Sequence, residues 1–225
     1  MLKNLSLKNQ LGCGFAVVVA LFLATMALVA QRVSHQETGL RYLRDDDLPL
    51  LLAVERMDLS RSEVQQFLTD VSATHDPAAY AEAQEAANTY QAASQEVRTI
   101  LGREGDQRQL QTLDAMDAAF AAFYASGKTM AETYLRDGIE AGNKLMKGSD
   151  GQPGFDQASE AISKQIEAFR AAQLTRARAA VSAGLDQTVV IHRMMLTGGL
   201  IATLVATGFA ILSLIHISEP TRPLY

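Results

Sequence analysis

The sequence predicts an all-α protein: a membrane-anchored, antiparallel up-down four-helix bundle flanked by two transmembrane helices. Three observations predict it. Two stretches near the ends carry no charge over the length of a bilayer-crossing helix. Between them, apolar residues recur every three and four positions in four separate runs. No segment alternates apolar and polar residues as a half-buried strand would.

The first apolar stretch, residues 11–30, reads LGCGFAVVVALFLATMALVA. Lys3 and Lys8 precede it, so residues 1–10 are expected to stay cytoplasmic and the following region to be exported. A cleaved signal peptide fits less well. The apolar region is longer than the usual signal range, and Leu28 is a poor small-residue match three positions before a cut after Ala30. The second stretch, residues 194–211, is again charge-free, with Arg193 at its edge and Gly198, Gly199 and Gly208 inside it. Glycines in such numbers are more frequent in membrane helices than in soluble ones. With both spans accepted, residues 31–193 lie outside the cytoplasm.

That middle region holds 17 Lys and Arg against 24 Asp and Glu, a formal charge of −7. A mildly acidic region without a basic stripe argues against nucleic acid as partner. The one cysteine, Cys13, lies in the first span, which rules out a disulfide framework, a cysteine zinc site and a c-type haem attachment motif. No nucleophile-elbow, phosphate-loop or metalloprotease pattern is found, so no enzyme, cofactor or metal is expected.

Four helices are expected in the middle. The first continues from the membrane span to about Ala73, with a stripe of Leu40, Leu43, Asp47, Leu50, Val54, Met57, Arg61, Val64, Leu68 and Val71. Pro49 is expected to bend it or tighten a turn, because its ring removes a helical hydrogen bond. Asp76 and Pro77 restart the chain as cap and first helical residue. Tyr80, Ala83, Ala87, Tyr90, Ser94, Val97 and Leu101 mark the second helix, and Gly102 is its expected terminator. Asp106 with Gln109 forms a capping-box arrangement. It opens a third helix striped by Leu113, Met116, Phe120, Phe123, Gly127, Met130 and Tyr134, which should kink or finish near Gly138. After the breaker-rich residues 148–154, the fourth helix carries Phe155, Ile162, Ile166, Phe169, Gln173, Arg176, Ala180, Ala183, Gln187 and Val190 toward the second span. An up-down bundle returns the chain to the side it left.

Residues 212–222, LSLIHISEPTR, resemble the in-frame translation of a transposase adapter used in sequencing-library preparation. On that reading residues 212–225 are artefactual, the second span is truncated near Ile211, and His216, Pro220 and Arg222 carry no functional meaning.

Residues 51–57 (LLAVERM), 64–74 (VQQFLTDVSAT) and 140–146 (EAGNKLM), with Phe155 and Asp156 opening the last helix, resemble the sensory region of four-helix-bundle methyl-accepting chemotaxis proteins. The resemblance implies a homodimeric receptor in the bacterial inner membrane, multi-pass, gathered in receptor arrays, with its sensing domain in the periplasm. Its ligand is a small molecule or a ligand-loaded periplasmic binding protein. The family continues into a HAMP linker and a methylated coiled coil that meets a histidine kinase and a coupling protein. Similar bundles precede membrane histidine kinases and diguanylate cyclases, which is the alternative; an anchored coil without a ligand is a third class.

The candidate ligand-binding residues are Arg61, Arg56 and Gln65. Arg61 occupies a seam position, where a guanidinium cannot be buried cheaply without a partner. Its planar fork suits a ligand carboxylate, and Arg56 and Gln65 flank it within about a helical turn. An internal salt bridge, or snorkelling along the aliphatic stem, is the competing reading. Arg176 is expected to be structural. Residues 45–47, all Asp, are expected to form a solvated face, because adjacent helical residues point in different directions. His75 is expected at the surface of a helix–helix turn, and the Tyr and Phe ladder in the core.

Overall fold

A computed structural model describes the backbone of residues 7–149 and 151–218 and the side chains of 12–149 and 151–211. Residues 1–6 and 219–225, with Lys3, Pro220 and Arg222, lie outside the described residues, as do the side chains of Lys8 and His216. The chain is almost entirely helical. Helix α1 spans Leu7–Tyr42, a single π turn Leu43–Asp47, α2 Leu48–Thr74, α3 Ala78–Glu104, α4 Gln107–Asp137, α5 Ile139–Lys147 and α6 Phe155–Ser218. Between α5 and α6, residues 148–154 close a minimal antiparallel hairpin, Gly148–Ser149 (β1) against Gln152–Pro153 (β2). The sequence indicates only a break there.

Contacts divide the chain into two units, residues 42–179 and residues 1–41 with 180–225. In the first, α2, α3, α4 and the N-terminal part of α6 share one core. Cross-helix pairs fix their directions. Gln84 pairs with Tyr124, Ser94 with Asp117 and Arg98 with Asp114, so α3 and α4 run antiparallel. Gln65 with Asp156, Arg61 with Ser159 and Glu55 with Arg170 set α2 antiparallel to α6. The third-helix stripe is buried in full, from Leu113 to Tyr134. The ladder is core: Tyr90 stacks on Phe120 at 3.6 Å between centroids, and Phe123 on Phe155 at 4.6 Å. The Phe123–Phe155 separation falls in the range where offset stacking adds to the free energy of area burial. Gly127 lies beneath Phe155 and Leu68, where a methyl group would stand 2.6 Å from Leu68 Cδ1.

Four boundaries differ from the sequence expectation. The terminator of α3 is Gly105, not Gly102: its φ of 71° is the left-handed conformation that glycine tolerates best. Its N–H bonds the carbonyl of Gly102 and that of Asp106 bonds Leu101 at 3.1 Å, so Gly102 stays helical. Asp76 caps α3 by accepting from the N–H of Ala78 at 2.9 Å, and the regular helix starts at Ala78 rather than Pro77. Near Pro49 the α-helix gives way to a π turn, closed by Leu48 N–H to Leu43 C=O, which widens the backbone where the proline ring would collide with a carbonyl four residues back. In α6 the buried stripe ends at Ala177; Ala180, Ala183 and Val190 are exposed, and Gln187 is half-buried. Other boundaries agree. Asp106 caps α4 by accepting from Gln109 N–H at 3.0 Å, and the chain breaks at Gly138.

In the other unit, α1 and the C-terminal part of α6 pack antiparallel through small contacts. Gly14 faces Phe209, Thr25 faces Gly198, and Gln36 donates to Thr188 Oγ1 at 2.6 Å. Small residues let helix backbones approach closely where no hydrophobic drive exists between helices. Phe15, Leu196, Leu200 and Leu204 are more than half exposed. α1 and α6 each contain a stretch long and apolar enough to cross a membrane.

Candidate functional site

Two polar nodes interrupt the apolar core of residues 42–179. The first forms on α2. Residues 57, 61, 64 and 68 share one helical face, which carries Arg61 against α6, with only 12% of its side chain exposed. Its Nε donates to Asp58 one turn away at 3.0 Å, and its Nη1 donates to the hydroxyl of Ser159 on α6 at 2.6 Å. Ser159, 1% exposed, donates to Gln65 Oε1 at 2.7 Å. Gln65 reaches Asp156 at 3.4 Å, and Lys147 of α5 holds the other oxygen of Asp156 at 2.6 Å. The Asp156 carboxylate beside Lys147 raises that ammonium's pKa. One connected network therefore links α2, α5 and α6, and Arg61 sits at its buried end. The Nη2 amine of Arg61 has no hydrogen-bond partner among the described residues.

Of the three residues singled out by sequence, Arg61 and Gln65 meet at Ser159. Arg56 is elsewhere: it is half exposed and pairs with Glu96 of α3. Ser159 escaped the sequence reading, yet its spacing of four from Phe155 places it on the buried face. Asp58 and Asp156 gave no such signal, since acidic residues are common on exposed helical faces.

The second node lies at the π turn. Arg176 is ion-paired to Glu104 of α3 at 2.8 Å, donates to the Tyr42 hydroxyl, and lies 5.5 Å from the centre of the Tyr42 ring. Tyr42 in turn donates to Glu104. Burial and the neighbouring Glu104 carboxylate push the Tyr42 phenol well above its ordinary range. Asp47 is 4% exposed, with Oδ1 3.9 Å from Arg176 Nε and Oδ2 without a hydrogen-bond partner. Burial raises its pKa; Arg176 opposes the shift, and Glu104 and Asp46 reinforce it. Asp46 pairs with Arg103 at 2.9 Å. The expectation of a solvated acidic face holds for Asp45, which is exposed on Arg44, and is wrong for Asp46 and Asp47. The π turn brings both to the helix packing side, where they meet guanidinium groups. Arg176 holds the structural position expected of it, and His75 is exposed with a left-handed φ of 61°.

An open groove of about 790 Å³ runs between α2 and α6, lined by Leu51, Leu52, Glu55, Lys164, Arg170 and Leu174 among others. It is separate from both nodes. Comparison with protein-family models, with curated proteins and with solved structures finds no match.

Proposed function

We propose that this chain is the sensory and transmembrane portion of a bacterial chemoreceptor. On this reading residues 31–193 form a periplasmic antiparallel four-helix bundle. Residues 11–30 and 194–211 cross the inner membrane, and the output domain lies beyond Ile211. The observation that carries the reading is the continuity of α6, one unbroken helix from Phe155 in the bundle core to the charge-free stretch 194–211. A helix without a break is the element that can carry a small displacement from a bound ligand toward the cytoplasm. The ligand need only bind one arrangement of the helices better than the other. Arg61, with Nη2 uncommitted and Gln65 beside it, is the group offered to a carboxylate-bearing small molecule; Arg56 contributes from the neighbouring face. The functional unit is a homodimer, and it reaches a histidine kinase and coupling protein only through that output domain.

Two experiments test this. In a Cys13→Ser background, a His75→Cys variant in intact cells should react with a membrane-impermeant maleimide; protection from outside would remove the exported-sensor reading. Residues 1–211 fused to the HAMP linker and signalling hairpin of a receptor of known output should then respond to a solute from a panel of amino acids and dicarboxylates. Arg61→Ala should abolish that response. A correctly inserted chimera that answers to none, or answers unchanged in Arg61→Ala, overturns the proposed site.

A further inference from the structure

The π-turn node has an unbalanced charge count. Asp46 forms an ion pair with Arg103 at 2.9 Å, although its Oδ1 has no hydrogen bond among the described residues. That leaves two buried carboxylates, Asp47 and Glu104, to share one guanidinium, Arg176. Glu104 Oε2 is ion-paired to it at 2.8 Å without a hydrogen bond, and Tyr42 is bonded to both side chains, whereas Asp47 stands 3.9 Å away with its second oxygen unpartnered. Side-chain exposure is 7% for Glu104 and 5% for Asp47, so water cannot supply the missing bonds. The species small enough to fit beside an enclosed carboxylate oxygen is a proton.

We propose that Asp47 is a proton-binding site whose charge state sets how tightly α6 is clamped to α3 and the π turn. The charged and titratable groups around it are Tyr42 and Asp46 from its own segment, Glu104 from α3 and Arg176 from α6, with Arg103 held by Asp46. With Asp47 protonated, Arg176 belongs to Glu104 and Tyr42, the node is neutral, and three elements close on one guanidinium. With Asp47 ionised, an extra buried negative charge stands beside Glu104 and competes for Arg176, so α3 and α6 loosen at this level. The direction of the Asp47 shift agrees with this geometry. The sign follows from linkage. A carboxyl whose folded pKa is raised binds its proton better in the fold, so its contribution to stability is complete below the ordinary carboxylate value and is lost as pH rises through the folded value. Neither the proton site nor the clamp requires that the chain be a receptor. In a receptor, the clamp would make signalling respond to extracytoplasmic pH, because α6 is the helix that continues into the second span.

The experiment uses the full chain in lipid nanodiscs, in a Cys13→Ser background, with nitroxide labels on cysteines placed at the exposed positions Thr99 of α3 and Thr175 of α6. The inter-label distance should lengthen as pH rises from below the ordinary carboxylate value, about pH 3.5, to about pH 8, and Asp47→Asn should keep the short distance at both. Asp47→Asn should also raise the thermal midpoint at the higher pH, with the gain vanishing at the lower. Asp47→Ser serves if the amide variant does not fold. An unchanged distance in the unsubstituted node, a pH response that persists in both variants, or a midpoint lowered by Asp47→Asn at high pH would each overturn the proposal.

Discussion

The same chemical change, glycine to alanine, should have opposite signs at two helical positions. Gly127 lies inside α4 beneath the Phe155 ring and Leu68; an added Cβ would sit 2.9 Å from Phe155 Cζ and 2.6 Å from Leu68 Cδ1. Both partners are fully buried, so neither can swing aside. Overpacking of this kind costs about 1–3 kcal/mol, and alanine's better helix propensity returns about 1 kcal/mol. With two buried contacts this short the cost falls at about 2–3 kcal/mol of that range, so the net expectation for Gly127→Ala is a loss of about 1–2 kcal/mol. Gly102 lies inside α3 with nothing within 4 Å of its would-be Cβ. There only the propensity acts, and Gly102→Ala should gain about 0.5–1 kcal/mol. For a unit of this size, 1 kcal/mol moves the unfolding midpoint by roughly 2–4 °C. Circular dichroism melts of the full chain in detergent should therefore place the two variants several degrees apart, on either side of the parent. A neutral or stabilising Gly127→Ala would refute the packing between α4, α2 and α6. A destabilising Gly102→Ala would refute the assignment of Gly105 as terminator.

Two further substitutions probe single interactions. Asp106→Ala removes the carboxylate that accepts from Gln109 N–H and should cost about 1 kcal/mol, read as a lower denaturant midpoint with an unchanged slope. Arg61→Ala strips Asp58 and Ser159 of a charged donor and should cost about 2–3 kcal/mol; Arg61→Lys should recover only part, because an ammonium cannot donate along both directions of the guanidinium fork. Full recovery by lysine in the same denaturation assay would count against the two-direction geometry.

The sequence told which residues are inside more reliably than what the polar ones touch, for a physical reason. Helical periodicity is local, so the stripe from Leu113 to Tyr134 could be read without knowing what covers it, and the Asp106 cap needs only its own next turn. The choice of Gly105 over Gly102 as terminator depends on which of the two adopts positive φ. That is settled by where the following helix must start, and composition does not reveal it. The partners of Arg61 and Arg56 depend on how α2 crosses α6 and α3, a tertiary fact. Periodicity brings Arg61 to the seam, but it cannot place Ser159 opposite Arg61 or Glu96 opposite Arg56. Asp46 and Asp47 meet Arg103 of α3 and Arg176 of α6, partners that only the packing of those helices supplies.

The π turn is part of that second node, and its role can be tested. An i→i+5 turn absorbs one residue more than an α turn, and one residue of α-helix is about 100° of rotation. The phase slips across residues 43–47, and Leu40, which three- and four-residue spacing assigns to the stripe, is 55% exposed. The same slip aims Tyr42 at Glu104. Pro49→Ala removes the ring that the π turn accommodates; with all five residues kept, reversion to α should rotate Tyr42 away by about 100°. Its phenol, now held well above the ordinary value by burial and by Glu104, should then ionise near about 10, as in a free peptide. In the parent, stability from the neutral phenol is complete below that value and is lost as pH rises through the higher folded one; the substitution should abolish that alkaline dependence. Tyrosine absorbance titration, with Tyr42→Phe to assign the transition, reads the change directly. A Tyr42 transition that stays high in Pro49→Ala would show that something other than the π turn holds the phenol against Glu104.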